Sequence, residues 1–177
     1  VYDKPLIYYP LSTLMMAGIR DIAVVTTGHD APAFRRLLGD GSDFGINLTY
    51  AVQEEPLGTA NAVLAAEDFA GDDRVLVINS DNYYPAAALR LLADVPGSAL
   101  VGFTREGLLT RSNIAPEKIA AFALATADAD GNLAELVEKP DAETALRLGP
   151  GAVVSMNCWL CGPAIFDAAR AIPRSAR

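Results

Sequence analysis

The chain has 177 residues, of which 51% are hydrophobic and 20% are charged, a composition typical of an ordered globular domain rather than a disordered segment. The formal net charge of −8 argues against nucleic acid or an anionic membrane surface as a partner. No apolar run approaches the roughly 18 residues of a membrane span, and no signal-peptide pattern is present, so a single-domain cytoplasmic protein (residues 1–177) is expected.

Helices and strands are predicted to alternate along the first third of the chain. Pro5 is typical of a first helical position, and the mostly apolar residues after it predict a helix that is kinked at Pro10 and ends at Gly18. Apolar and β-branched runs predict strands at 22–27 and 46–52, with a short helix at 32–38 between them. The single histidine, His29, follows the first strand, where a functional role and a surface-loop position are both open; the second is favoured because no partner is identifiable nearby.

A polar turn, Gln53-Glu-Glu-Pro-Leu-Gly-Thr-Ala60, joins the second strand to an apolar helix predicted at 60–69. Backbone N–H groups around Gly58 and the side chain of Gln53 suit a flat ligand with an amide-like edge. The alternative is a plain β–α loop, and the spacing of the residues alone favours that alternative.

The next strand is predicted at Val75–Ile78, a continuous apolar run typical of a strand buried on both faces. Four short polar residues follow it, Asn79-Ser-Asp-Asn82, before Pro85 begins a predicted helix. Open α/β sheets bind ligands at the carboxyl ends of their strands, so Asp81 is a candidate ligand for a metal or substrate. The alternative is that Asp81 and Asn82 only form a turn and cap the helix.

The remaining elements are predicted from similar signals. A polar segment at 105–117 is interpreted as a loop or insertion, and Asp128-Ala-Asp-Gly-Asn132 predicts a hairpin turn between strands at 119–125 and 133–137. Helices are predicted at 85–93, 140–148 and 163–171, and strands at 98–104 and 152–160. Alternating strands and helices predict an α/β fold with a mostly parallel mixed sheet, flanked by helices, and a small antiparallel element.

Two further pairs of residues are open to interpretation. Glu138 and Lys139 follow the second hairpin strand and form either a solvated ion pair, which their spacing favours, or a hydroxyl acceptor and a phosphate donor beside a pocket. Cys158 and Cys161 have C-x-x-C spacing, but they fall on or just after a predicted strand rather than at a helix N-terminus, and zinc needs about four ligands. Reduced, mostly buried thiols are therefore predicted.

Taken in order, several stretches resemble the sugar nucleotidyltransferases, most closely the glucose-1-phosphate thymidylyltransferases. The most specific match is residues 2–22, which begin Tyr2-Asp-Lys-Pro5, and it continues in Leu38-Gly-Asp-Gly-Ser42 and Tyr50-Ala-Val-Gln53. Shorter matches to the wider superfamily are Gly58-Thr-Ala60, Ser80-Asp-Asn82, Val137-Glu-Lys-Pro140 and Met156-Asn157. The resemblance covers nearly the whole chain and implies a Rossmann-like nucleotidyltransferase fold.

The resemblance also implies roles on the nucleotide side. Gln53, through its side chain, and Gly58, through its backbone, would bind a pyrimidine base. Asp81 would bind Mg²⁺, the implied cofactor, and so act in catalysis. The implied partner is a nucleoside triphosphate, dTTP or UTP.

On the sugar side, the resemblance implies that Glu138 accepts hydrogen bonds from sugar hydroxyls. Lys139 would bind the phosphate of a sugar 1-phosphate, with glucose 1-phosphate the expected sugar, and Asn157 would contact the sugar. The implied reaction attacks the α-phosphorus of the triphosphate with a sugar-1-phosphate oxygen and releases pyrophosphate. It needs positioning and charge neutralisation rather than a protein nucleophile.

The chain departs from the family pattern at both ends. The first strand and the Gly-rich triphosphate loop of the family are absent from these residues, as is the second metal-binding aspartate, and Ala123 stands where the family usually has a glycine. A chain truncated at both ends, inactive by itself, is therefore expected.

Other functions and states are also expected or open. The main alternative is a non-catalytic module that binds a nucleotide-sugar or acts as a regulatory subunit. A metal-dependent glycosyltransferase is less favoured, because Asn79-Ser80-Asp81 supplies one acid where those enzymes usually have two. Because members of the family often self-associate, a homo-oligomer is a further expectation.

Overall fold

The computed structural model describes residues 3–172, so Tyr2, at the start of the most specific sequence match, lies outside the described part of the chain. These residues form two compact units. The first contains the described residues up to Ala99 and from Trp159 onward, and the second contains Leu100–Cys158. No helix among residues 3–172 is long and apolar enough to cross a membrane.

The first unit contains a parallel strand pair and the helices that follow its strands. Strand β1 (Asp21–Thr27) pairs in parallel with β2 (Asn47–Gln53), in register from Asp21 opposite Asn47 to Thr27 opposite Gln53. Because the pair is parallel, the carboxyl ends of both strands lie side by side. The elements of this unit, in chain order, are α1 (Tyr8–Met16), β1 (Asp21–Thr27), α2 (Ala31–Leu38), β2 (Asn47–Gln53), α3 (Thr59–Ala65), α4 (Glu67–Ala70), β3 (Val75–Ile78) and α5 (Ala86–Asp94).

The second unit is antiparallel where its strand register is defined. Strand β5 pairs with β6 through the hairpin and with β7 on its other side, where Ala123 lies opposite Ser155, and β4 also pairs with β7. The last residues of strand β7 belong to the first unit, and so does α9, the last described helix. The elements from residue 99 onward, in chain order, are β4 (Ala99–Phe103), α6 (Arg105–Arg111), α7 (Pro116–Ala120), β5 (Ala123–Ala127), β6 (Leu133–Val137), α8 (Ala142–Leu148), β7 (Val153–Cys161) and α9 (Ala164–Ala171).

Two predictions about helices were wrong in detail. Helix α1 begins at Tyr8 rather than Pro5, which makes Pro10 its third residue. The first four N–H groups of a helix have no intrahelical partner, so a proline there removes no hydrogen bond and the reason for a kink does not apply. The helix predicted at 60–69 is interrupted at Ala66, which ends α3 and precedes α4. Gly18 follows α1 with φ of +90°, as expected for a helix-ending glycine.

The segment at 105–117 is not a loop but contains α6 and the first two residues of α7. The Thr104 hydroxyl caps α6 by accepting the Gly107 N–H at 3.1 Å, and Leu108 is buried. Ile119, predicted to begin a strand, belongs to α7 and is buried there. Buried side chains and one cap therefore stabilise short helices whose polar sequence resembles a loop.

The hairpin between β5 and β6 is confirmed. One carboxylate oxygen of Asp128 accepts the N–H groups of Asp130 at 3.0 Å and Asn132 at 2.9 Å. The hydrogen bond from the Asn132 N–H is the main reason that the pKa of Asp128 is lowered. An aspartate that satisfies two turn donors fixes the turn as its sequence predicts.

Candidate functional site

The polar turn after β2 is closed by the side chain of Gln53, which is half-buried at the carboxyl end of that strand. Its Nε2 donates to the Gly58 carbonyl at 3.3 Å and to the Asn61 side-chain oxygen Oδ1 at 2.7 Å. An amide nitrogen carries two hydrogens, so both donors are used. The Oε1 atom of Gln53 has no donor among residues 3–172, so its acceptor capacity is left unused there.

Gly58 precedes the first residue of α3 and has φ of +106°, a backbone conformation that side chains rarely adopt. Its carbonyl accepts the Ala62 N–H at 3.1 Å as well as Gln53, whereas its own N–H has no partner in the described residues. Gln53 and Gly58, to both of which the family resemblance assigns the base, are thus in direct contact with each other.

The contact of Asn61 with Gln53 was not predicted from the sequence. Asn61 lies in the first turn of α3, and its contact with Gln53 depends on the path of the chain through Gly58. The available signal was one amide side chain in an otherwise apolar helical run.

A single apolar cluster holds both α3 and β3 in place. Val63 and Phe166 are buried at its centre, and Leu64 of α3 and Val75 and Val77 of β3 pack against it. At the amino end of β3, the guanidinium of Arg74 donates to the carbonyls of Ala93 and Val95 at the end of α5. These contacts hold in place the strand that leads into the turn carrying Asp81.

Asp81 is exposed in the turn after β3, and its carboxylate has no hydrogen-bond or ion-pair partner in residues 3–172. It does form part of a turn, but it does not cap α5, since that helix follows Pro85 and has no side-chain cap. Asn82 donates from Nδ2 to the hydroxyl of the buried Tyr84 at 3.1 Å, which anchors the turn. The capping interpretation of Asp81 is therefore wrong.

The described residues contain no cluster of three or more His, Cys, Asp or Glu side chains suited to a metal ion. Mg²⁺ is, however, commonly held by one or two carboxylates together with substrate phosphates and water. A free, exposed carboxylate such as that of Asp81 fits this mode of binding as one ligand.

His29 lies exposed in the loop after β1, as the favoured interpretation expected. That loop is closed by Thr27, whose hydroxyl donates to the Asp30 carboxylate at 2.8 Å and accepts the Asp30 N–H at 3.2 Å. The histidine itself has no side-chain partner in the described part of the chain.

In the second unit, Glu138 and Lys139 follow β6 and are both exposed. No ion pair joins them, and neither charged group has a partner among residues 3–172, so both charges are solvated, as the favoured interpretation expected, but they are not paired with each other. Both flanking elements are anchored. Arg147 of α8 bonds both carboxylate oxygens of Glu135 of β6, at 2.6 and 2.9 Å, and a carboxylate oxygen of Asp141 caps α8 by accepting the Thr144 N–H at 2.8 Å.

Lys139 and Asn157 have an unusual backbone. Their φ angles are +47° and +56°, and they are the only non-glycine residues within 3–172 with positive φ. Asparagine tolerates this left-handed region, but lysine does so at a cost of about 1 kcal/mol, and a residue before proline, as Lys139 is, normally adopts an extended backbone. Such strain persists where the surrounding structure imposes it, and it clusters at functional sites.

Cys158 and Cys161 are both buried and free on β7, which confirms the prediction of reduced, buried thiols. Burial raises the pKa of Cys158 to about 12 and also raises the pKa of Cys161. Redox cysteines need the opposite shift, toward the thiolate.

We therefore expect neither cysteine to react readily with an aromatic disulfide reagent at pH 8 until the protein is unfolded in denaturant. Because the unfolded thiols ionise at lower pH than the native ones, the free energy of unfolding should also fall as pH rises above the ordinary thiol pKa. Titration of thiols with and without denaturant measures the first effect. Rapid reaction of a native thiol would contradict the prediction.

Comparison with known proteins places these features in a wider group. A sequence model described as Nucleotidyl transferase matches residues 1–176. The glucose-1-phosphate thymidylyltransferase of Mycolicibacterium smegmatis (strain ATCC 700084 / mc(2)155) is 45% identical over 181 aligned residues, covering 100% of this chain and 57% of the relative. The chain thus spans little more than half the length of that relative.

Solved structures show the same fold. A Bacillus anthracis protein assigned as a glucose-1-phosphate thymidylyltransferase, crystallised with sucrose, has a TM-score of 0.71 at 23% identity and covers 96% of this chain and 63% of its own. A UDP-glucose pyrophosphorylase bound to UDP-glucose has a TM-score of 0.71 at 19% identity, covering 98% and 70%. The predicted α/β, Rossmann-like fold is confirmed.

Proposed function

The chain belongs to the nucleotidyl transferase family, and we propose that its protein transfers a nucleotidyl group from dTTP or UTP to a sugar 1-phosphate, with glucose 1-phosphate as the expected sugar. Pyrophosphate is the second product. The similarity to a glucose-1-phosphate thymidylyltransferase along the whole chain supports this choice of substrates. Because the chain spans 57% of that relative, every activity test below uses the full-length protein.

One structural observation carries the proposal. Within residues 3–172, positive φ outside glycine occurs only at Lys139 and Asn157, and these are residues to which the family resemblance assigns the sugar 1-phosphate. The φ angles are a property of the backbone and do not depend on the roles that the resemblance assigns to these residues. A strained lysine with a free ammonium group suits a phosphate ligand.

The proposed chemistry follows from the groups available. An oxygen of the sugar phosphate forms a bond to the α-phosphorus of the triphosphate, the bond from that phosphorus to the β-phosphate bridging oxygen breaks, and pyrophosphate leaves. Lys139 binds and orients the attacking phosphate, Glu138 and Asn157 hold the sugar, and Gln53 and Gly58 hold the base. Mg²⁺ at Asp81 would supply neutralisation of the phosphate charges.

The cellular setting is also part of the proposal. We place the protein in the cytoplasm as a homo-oligomer that supplies a nucleotide-sugar for polysaccharide biosynthesis. The family resemblance is the support for each of these statements.

The test is pyrophosphate release by the full-length protein with glucose 1-phosphate, Mg²⁺ and either dTTP or UTP. We expect turnover that depends on both substrates. Binding of a nucleotide-sugar in calorimetry without any turnover would instead identify a non-catalytic module. The absence of both binding and turnover would refute both functions.

A further inference from the structure

We propose that Asn61 is a specificity-determining residue, which acts with Gln53 and Gly58 to select a base with an imide edge, uracil or thymine, over cytosine. This inference rests on the proposed function and adds to it a residue and a rule of base selection.

The orientation of the Gln53 amide is fixed by the backbone. A side-chain amide can exchange its oxygen and nitrogen, and the surrounding hydrogen bonds decide which orientation is correct. The Gly58 carbonyl, 3.3 Å from Nε2, can only accept, so the nitrogen of Gln53 must face it. The Oε1 atom of Gln53 is therefore the group left for a ligand.

The orientation of Asn61 follows from that of Gln53. The second hydrogen on Nε2 of Gln53 requires an acceptor, which is Oδ1 of Asn61 at 2.7 Å. The Nδ2 atom of Asn61 is thereby left as a donor, and it has no partner among residues 3–172. The backbone carbonyl of Gly58 thus determines the orientation of the side-chain amides of Gln53 and Asn61.

The free groups match one class of base. The turn offers one acceptor, Oε1 of Gln53, and two donors, Nδ2 of Asn61 and the Gly58 N–H. Uracil and thymine present an N3–H donor between two carbonyl acceptors, whereas cytosine has an unprotonated N3 beside an amino group. Cytosine would set acceptor against acceptor and donor against donor, and unpaired polar groups in a binding site are a strong basis for rejection.

The test compares UTP with CTP, which differ only in this edge of the base, in the full-length protein with glucose 1-phosphate. Asn61→Asp keeps the acceptor for Gln53 but replaces the Nδ2 donor by an oxygen that suits the cytosine amino group. We expect the ratio of kcat/KM for UTP to that for CTP to fall at least about tenfold, as the exchange of one hydrogen bond predicts. The added negative charge acts on both triphosphates equally and cancels in the ratio.

Three further measurements complete the test. Asn113→Asp makes the same change at an exposed loop residue and should leave the ratio unchanged. Asn61→Leu, which is neutral, should also lower the ratio, by about threefold or more. The unaltered protein should use 3-methyl-UTP, which lacks N3–H, at least about tenfold less well than UTP.

The outcomes separate this inference from the function on which it rests. Turnover of UTP with an unchanged ratio in both Asn61 variants would overturn the role of Asn61 and leave the proposed function standing. Equal use of UTP and 3-methyl-UTP would overturn the base-selection rule. No turnover of UTP or dTTP by the unaltered protein would overturn the proposed function, and this inference with it.

Discussion

In the full-length protein, replacing Asp81 by alanine is expected to lower kcat/KM for nucleotidyl transfer at least about a hundredfold. The Asp81 carboxylate is exposed just beyond β3 and has no partner in the described residues. Its proposed role is to bind Mg²⁺, so its loss should also raise the Mg²⁺ concentration needed for half-maximal activity. Pyrophosphate release measured across a Mg²⁺ titration reports both effects.

The structure also supplies a stability control for Asp81. Because the exposed carboxylate has no hydrogen-bond or ion-pair partner in residues 3–172, Asp81→Ala should change the free energy of unfolding by less than about 0.5 kcal/mol, so that lost activity cannot be ascribed to unfolding. Asp72 is a matched residue, exposed and without a side-chain partner, but it precedes β3 instead of following it. Asp72→Ala should retain full activity. An Asp81→Ala protein with the Mg²⁺ dependence and kcat/KM of the unaltered protein would refute the metal assignment.

The elements best predicted from sequence are those whose signals are local and strong. Strand β3 is a continuous apolar run, although its four residues are half-buried rather than fully buried, and the hairpin turn carries an aspartate that itself bonds the turn donors, so both signals lie within a few residues of sequence. Helices α6 and α7 were missed because they are short and polar. Burial of Leu108 and Ile119 stabilises them, and sequence periodicity over so few residues does not reveal it.

The candidate site was predicted in residue type but not in conformation. The family resemblance identified Gln53, Gly58 and Lys139, but the contact of Gln53 with Asn61 depends on the path of the chain through Gly58, whose φ is positive. The positive φ of Lys139 was not predictable, because lysine normally avoids that region and no neighbouring glycine indicates it. Local backbone preferences are expected to fail at functional or strained sites, so a residue such as Lys139 that departs from its preference is a candidate for a functional role.

A second large effect is expected from replacing Lys139, which should lower the activity without lowering the stability of the protein. Lys139→Gly removes the ammonium group and should lower kcat/KM at least about a hundredfold, mainly by weakening the binding and positioning of the sugar phosphate. Glycine adopts a φ of +47° without steric cost, so the free energy of unfolding should stay the same or rise by up to about 1 kcal/mol. Pyrophosphate release and denaturant unfolding measure the two effects.

Lys118 provides the opposite case, since it is an exposed lysine without a side-chain partner in the middle of α7. Lys118→Gly should lower the free energy of unfolding by about 1 kcal/mol, because glycine is unfavourable inside a helix, and should leave kcat/KM unchanged. The same substitution is thus expected to destabilise without inactivating at one lysine, and to inactivate without destabilising at the other. If Lys139→Gly instead destabilised the protein and preserved turnover, the conformation of Lys139 would serve the fold, and its assignment to the sugar phosphate would be refuted.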